Sequence, residues 1–298
     1  MGKKGKEAAR ERREQRRREV TLLRAVPYEP HQRWWDGLAP PPPPPGPAVA
    51  VVTGANRGIG YEAARQLATQ GLHLDVTDAA SVEGFATWVE RTHGGVHVLV
   101  NNAGVNFNRG ADNSVEFAEQ VIETNYFGTK RMIEAMMPLM ITSPHGGRIV
   151  NVSSRLGRVN GRRNRIGDPS LRERLLNDAS LHPEELINEM VMKFLEQTRQ
   201  DNWSSGNEWP QMYTDYSISK LAVNAYTRLL ARRLLDRPEG QKIYINCFCP
   251  GWVKTAMTGW EGNISAEEGA DTGVWLALVP QGQATIGKFF AERREISF

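Results

Sequence analysis

Thr53-Gly54-Ala55-Asn56-Arg57-Gly58-Ile59-Gly60 is the stretch that decides the fold. Residues 48–52 before it form an apolar run, as a strand buried on both faces does, and residues 58–70 read as a helix. A strand, a glycine turn and a helix in that order make a pyrophosphate cradle. The glycines allow a tight turn and close backbone approach, and the helix start offers free N–H groups with partial positive charge. The spacing is Gly-x-x-x-Gly-x-Gly, not Gly-x-Gly-x-x-Gly. Taken alone, it competes with a glycine-rich turn that holds no ligand.

Working outward, short apolar runs recur at 96–100, 147–152 and 242–248, with helical patterns at 79–92, 115–140, 216–235 and 266–278. Strand and helix in alternation predict an α/β doubly wound parallel sheet over residues 48–298, with ligands held at the carboxyl ends of its strands. Residues 40–47 are a polyproline linker, Pro40 to Pro45 followed by Gly46 and Pro47. Ten Lys/Arg against four Glu put +6 on residues 1–24, which leaves −3 of the total +3 for the rest. Residues 1–47 therefore read as a basic arm, disordered or helical, plus a linker. Four interspersed glutamates dilute its field, so a solvated extension is preferred over a nucleic-acid or membrane contact. No apolar run approaches the roughly 20 residues of a membrane span, and no signal-peptide core is visible. Cys247 and Cys249 read as small buried residues in a reducing compartment, which predicts a cytoplasmic protein. The six histidines show no metal-ligand spacing, so no metal is expected.

The strand at 96–100 runs into Asn101-Asn102-Ala103-Gly104, and a helix carries Asn125 in Asn-Tyr-Phe-Gly. The strand at 147–152 runs into Ser153-Ser154. Tyr216-Ser217-Ile218-Ser219-Lys220 opens a helix, and the last strand leads to Pro250-Gly251. These motifs, in this order with the glycine turn, resemble the short-chain dehydrogenase/reductase family across residues 48–298. The resemblance implies a Rossmann-like sheet, hydride transfer from a nicotinamide cofactor, and Asn125, Ser154, Tyr216 and Lys220 as catalytic residues. It also implies that Gly54, Asn56, Arg57, Gly58, Ile59, Gly60, Asp75, Val76, Asn102, Ala103, Gly104, Tyr216, Lys220, Pro250, Gly251, Val253 and Thr255 bind the cofactor.

The residues make chemical sense of this. Tyr216 and Lys220 stand four apart on one helical face. An ammonium beside a phenol is expected to lower the tyrosine pKa toward working pH. Ser154, at a strand end, can donate to a carbonyl oxygen, and Tyr216 protonates that oxygen as hydride reaches the carbon. Ser153 and Ser154 point to opposite faces, so only one can do this; the resemblance points to Ser154. It also gives Lys220 the nicotinamide ribose and makes Asn125 the anchor of a proton-relaying water. Tyr213 lacks a lysine four residues on and reads as structural.

Ser154 and Tyr216 are 62 residues apart, against about 2–6 residues for an ordinary strand-to-helix connection. The insertion at 155–210 carries two expected helices, 171–177 and 183–200. It resembles the monomeric carbonyl reductase branch, and most of all the plant enzymes of neomenthol dehydrogenase and salutaridine reductase type. That likeness implies NADPH, a bulky apolar ketone substrate and a monomer. Arg57 suits NADPH, since a guanidinium matches a 2′-phosphate.

The pattern breaks at 71–78. The family places a strand, a helix and a second strand there, a unit of roughly 30 residues, and only Gly71-Leu72-His73-Leu74-Asp75-Val76-Thr77-Asp78 is present. The expectation is a hybrid strand at 72–76 beside the first strand, with one strand and one helix lost. Asp75 or Asp78 near the adenosine ribose would then favour NADH as the alternative cofactor. The competing functional reading is a shortened, catalytically impaired variant acting at most as a binding protein. A third reading, an interaction protein working through residues 1–24, rests on the charge of that arm alone.

Overall fold

A computed structural model describes residues 48–67, 75–108, 115–140, 146–161, 164–177, 183–204, 206, 208–279 and 281–298. The expected arm and linker at 1–47 lie outside them. Strands β1 (Ala50–Val52), β2 (Val98–Asn101), β3 (Gly147–Val152), β4 (Ile243–Phe248), β5 (Phe289–Ala291) and β6 (Arg294–Ile296) form one sheet in sequence order. Pairings from β1 to β5 are parallel. The sequence predicts a parallel sheet; β5 and β6 depart from that as an antiparallel hairpin, turned by Glu292 and Arg293 at φ of +55° and +57°. Two successive positive φ values match the right-handed strand twist that a two-residue hairpin needs.

The helices are α1 (Gly58–Leu67), α2 (Ala79–His93), α3 (Ala118–Ile122), α4 (Gly128–Met136), α5 (Pro169–Leu176), α6 (Pro183–Arg199), α7 (Thr214–Leu234) and α8 (Ala266–Leu278). Alternate strand residues go to opposite faces, which makes the sheet doubly wound. Val98, Val100, Val150 and Val152 pack with Leu276 and Ala277 of α8. Leu99, Ile149 and Ile245 pack with Ile122, Met132, Ile133 and Leu221 on the other side. Every residue of β2 and β3 is buried, which suits their mostly apolar sequence; of the polar exceptions, Asn101 donates to Asn151 Oδ1 at 2.8 Å and Arg148 to Val279 O at 3.0 Å. Local chemistry sets the helix ends. Asp78 caps α2 by accepting from Ala80 N at 3.0 Å, and Gly94 closes it at φ +72°. Asp168 and Pro169 start α5, and a Ser265/Glu268 capping box starts α8.

Two sequence expectations change. The helix expected at 115–140 is interrupted: α3 and α4 flank a π turn at Glu123–Phe127, and Met137–Leu139, with Pro138, tightens to a 3-10 turn. The hybrid strand at 72–76 is not found where it is described. Asp75 and Val76 lead into a turn before α2, while residues 72–74 lie outside the described ones. Among the described residues β1 pairs only with β2 and no strand lies beyond it, while β6 forms the other edge of the sheet. In the insertion, α6 buries Leu186, Ile187, Met190, Val191, Phe194 and Leu195 in the core shared with α7. Trp209 anchors the return: it is buried, meets Phe194 edge-on at 5.5 Å, and donates from Nε1 to Gln197 Oε1 at 2.6 Å.

Candidate active site

The glycine turn is locked to the segment after β2. Thr53 Oγ1 accepts from Asn102 N and Ala103 N, both at 3.0 Å. Asn102 Nδ2 donates to Thr53 O at 3.0 Å and Gly54 O at 3.2 Å. Gly54, at φ +63°, comes so close that a Cβ would lie 2.9 Å from Ala103 Cα; at Gly60 a Cβ would lie 2.2 Å from Asn102 Nδ2. Gly58, at φ +58°, faces Thr255. Asn56 and Arg57 are exposed on the turn, and Ile59 packs beneath it with Ala63 and Ala270. Thr53 was not singled out from the sequence. Its only signal was a hydroxyl at the end of the first strand.

Asn125 sits in the π turn, fully buried. Its Oδ1 accepts from Val105 N at 2.8 Å, and its Nδ2 donates to Val105 O and to Ser219 Oγ, both at 3.0 Å. Gly104 passes beside this pair and the lysine: a Cβ there would lie 3.1 Å from Asn125 Oδ1 and 3.6 Å from Lys220 Nζ. Lys220 is buried, donates to Val152 O at 2.8 Å, and holds its Nζ 5.6 Å from the centre of the Tyr216 ring. The Ser154 side chain acts on the Tyr216 phenol and favours its charged form, and the Ser154 Oγ accepts from Leu156 N at 3.1 Å. Ser153 faces away, donating to Lys220 O at 3.3 Å under α7. Tyr213 turns at φ +48° just before α7.

The electrostatics correct one expectation. The Tyr216 phenol is pushed up, not down, chiefly because its burial penalises the phenolate; Cys249 adds to this and the Ser154 hydrogen bond opposes it. Burial also pulls the Lys220 ammonium down to about 8. Desolvation acts on both partners and outweighs the attraction that i, i+4 spacing suggested.

After β4, Gly251 turns at φ +88° against Ile264. Val253 bridges to Ile264, and Thr255 precedes the 3-10 turn Ala256–Thr258. With Pro250 these stand at the same carboxyl edge as the glycine turn, the Gly58–Thr255 approach linking the two. Asp75 and Val76 belong to a separate group. Val76 is buried against Gly128, and its carbonyl accepts from Arg131 Nη1 at 2.6 Å. Asp75 is exposed, and the Thr77 amide and hydroxyl hold its carboxylate below the usual range. Among the described residues no group of His, Cys, Asp and Glu has metal-site geometry, and no helix is long and apolar enough to cross a membrane.

Residues 70–165 match the family model for short chain dehydrogenases. The chain is 33% identical to (+)-neomenthol dehydrogenase of Arabidopsis thaliana over 85% of its own length and 98% of the relative's. That alignment runs 304 positions against about 253 residues here (85% of 298), so the relative fills about 50 positions that this chain lacks. Carbonyl reductase [NADPH] 3 of Rattus norvegicus is 36% identical, covering 78% of this chain and 91% of the relative. Among solved structures, salutaridine reductase from Papaver somniferum superposes with a TM-score of 0.69 at 31% identity, covering 82% of this chain and 99% of the other. Fold, site and sequence agree that the chain belongs to the short-chain dehydrogenase/reductase family, among relatives that include carbonyl reductases.

Proposed function

We propose that the chain reduces the carbonyl of a bulky apolar ketone to a secondary alcohol with NADPH, Tyr216 supplying the proton. The Tyr216 phenol, with the Ser154 side chain acting on it and the Lys220 amine 5.6 Å from its ring centre, carries this reading. The glycine turn fits a dinucleotide: Gly54, Gly58 and Gly60 let it pack closely against Ala103, Asn102 and Thr255 with no side chain of their own in the way, and α1 begins in it with its first N–H groups. Gly104 likewise leaves room next to Lys220 for a ribose. When bound, the reduced nicotinamide supplies hydride to the carbonyl carbon.

The protein's own residues do the rest. Ser154 and Tyr216 hold the substrate oxygen between two hydroxyls. A raised phenol pKa keeps Tyr216 protonated at neutral pH, ready to donate as charge develops on that oxygen. A Lys220 amine that titrates at about 8 is mostly charged at pH 7 and stabilises the phenolate left behind. The Asn125 side chain is committed to Val105 and Ser219, so a water relay toward Lys220 falls to its main chain in the π turn. Phe107, Met212, Trp252, Met257 and Trp260 are exposed on segments flanking the site and suit an apolar substrate. Arg57 would meet the 2′-phosphate. With α6 packed over α7, the chain would work as a monomer, in the cytoplasm.

The eight residues at 71–78 favour a second reading, a variant whose cofactor site is impaired and which accepts NADH or neither nucleotide. Titrating the purified chain with NADPH and NADH by nucleotide fluorescence, then assaying apolar cyclic ketones, decides between the two. Saturable NADPH binding with turnover supports the reductase. A folded sample that binds neither nucleotide leaves only the second reading.

A further inference from the structure

The residue before Tyr216 is the most confined acid among the described residues. Asp215 is fully buried in the first turn of α7, where a carboxylate is normally solvated. Its Oδ1 accepts two short hydrogen bonds, from the main-chain N–H of Tyr216 at 2.7 Å and from Asn108 Nδ2 at 2.6 Å. Asn108 is itself buried, and its amide and side chain both donate to Asn106 Oδ1, at 3.1 Å and 2.9 Å. The other carboxylate oxygen, Oδ2, has no hydrogen-bond partner. Helix capping alone would be met by an exposed side chain, with no oxygen left orphaned. Burial raises the pKa of this carboxyl, in keeping with a group held against its solvation preference.

Position explains why such a group stands there. The segment after β2 is fixed at its start to Thr53 through Asn102 and Ala103, and at its middle to Asn125 through Val105. Asn108 is the far end of the segment, and Asp215 joins it to the backbone of Tyr216 itself. This last tie bridges 107 residues of sequence and reaches the helix turn that sets the height of the phenol.

We propose that Asp215 is a positioning residue for Tyr216: one carboxylate oxygen ties the segment after β2 to the Tyr216 main chain and so fixes the phenol against the Ser154 hydroxyl. This rests on the reductase reading above. The test compares the full-length chain with Asp215→Ala, Asp215→Asn and Asn108→Ala. Each is measured for kcat and KM with NADPH and an apolar cyclic ketone, for NADPH binding by fluorescence, and for amide hydrogen exchange over 105–108 and 214–219.

Asp215→Ala is expected to lose about 10- to 100-fold in kcat, the scale of a misplaced reacting group. Its KM for NADPH stays within about twofold, and exchange quickens in both segments. Asp215→Asn keeps the accepting oxygen and restores most of kcat. If Asp215→Ala does not fold, Asn108→Ala cuts the same tie from the other end and is read in its place, with the same pattern expected. Unchanged kcat and exchange in the alanine variants overturn the proposal. So does a loss of kcat and NADPH binding together that Asp215→Asn does not rescue, since that marks mere structural damage. If the unmodified chain binds NADPH but reduces no ketone, the reductase reading fails. Hydrogen exchange then still decides the tie, and unchanged exchange in Asp215→Ala overturns it.

Discussion

The two sides of the site are built differently. On the catalytic side, residues 102–108 are stitched to the glycine turn, to the π turn and to α7 by hydrogen bonds that they donate to Thr53, Asn125 and Asp215. Each tie joins residues far apart in sequence, and most of the atoms involved are buried. On the other side, Asp75 to Asp78 make a short link held by local bonds, Asp75 N to Ser81 Oγ at 3.2 Å and Thr77 to Asp75, plus Val76 against Gly128 and Arg131. Beside it β1 is three residues long. The groups assigned to the chemistry depend on β2, β3, β4, α7 and the π turn, none of which passes through residues 71–78. In the proposed reading, the short link at 71–78 leaves the proton-donating groups whole and places its cost on the adenosine end of the cofactor.

Tyr216→Phe gives the largest expected effect. Removing the proton donor should lower turnover by about 10²- to 10⁴-fold, while NADPH titration stays near that of the unmodified chain. Retained turnover would break the assignment of chemistry to the catalytic side. Gly60→Ala strikes the seam between the two sides. A Cβ 2.2 Å from Asn102 Nδ2 forces the turn apart, and overpacking of about 1–3 kcal/mol should weaken nucleotide binding by about 10-fold or more. Asp75→Ala, exposed on the shortened side, should change binding by less than about twofold, as most surface substitutions do. Equal losses in Gly60→Ala and Asp75→Ala would show that the short link carries cofactor affinity after all.

Arg57→Ala sharpens the same contrast. A charge-assisted phosphate contact contributes about 1.5–3 kcal/mol, so NADPH should weaken by about 10-fold while NADH is unaffected. Equal effects on both nucleotides would place Arg57 away from the 2′-phosphate. The smallest effect is on stability. Below pH 8 the Lys220 amine is charged in both states, and the folded chain bears the full cost of burying it. Between about 8 and the 10.5 of the unfolded chain, the unfolded state holds more protons, so this group's contribution to stability rises with pH. The melting temperature of the unmodified chain minus that of Lys220→Met should climb across that window. A flat difference would mean the amine is more hydrated than its burial indicates.

The layered α/β architecture and most helix ends were legible because they rest on local signals: mostly apolar strands, the glycine turn, and caps such as Asp78 and Ser265. The π turn was not legible, since Glu123–Phe127 reads as ordinary helix and only the pairing of Asn125 with Val105 and Ser219 sets it apart. Thr53 was missed for a similar reason. One hydroxyl means little in a strand until it accepts two amides from a segment about fifty residues away. Asp215 and Asn108 were missed because 107 residues separate them.

The sequence by itself determined which residue types stand at the carboxyl ends of the strands, and the helical spacing that puts Tyr216 and Lys220 on one face. These follow from strand and helix periods, which are properties of the local backbone. Only the tertiary structure decided that Ser154 meets the phenol while Ser153 turns under α7, and that the Tyr216 pKa rises. It alone decided that β1 has β2 as its single partner among the described residues. Those outcomes depend on which surfaces lose water and which distant groups meet, and desolvation has no period in a sequence.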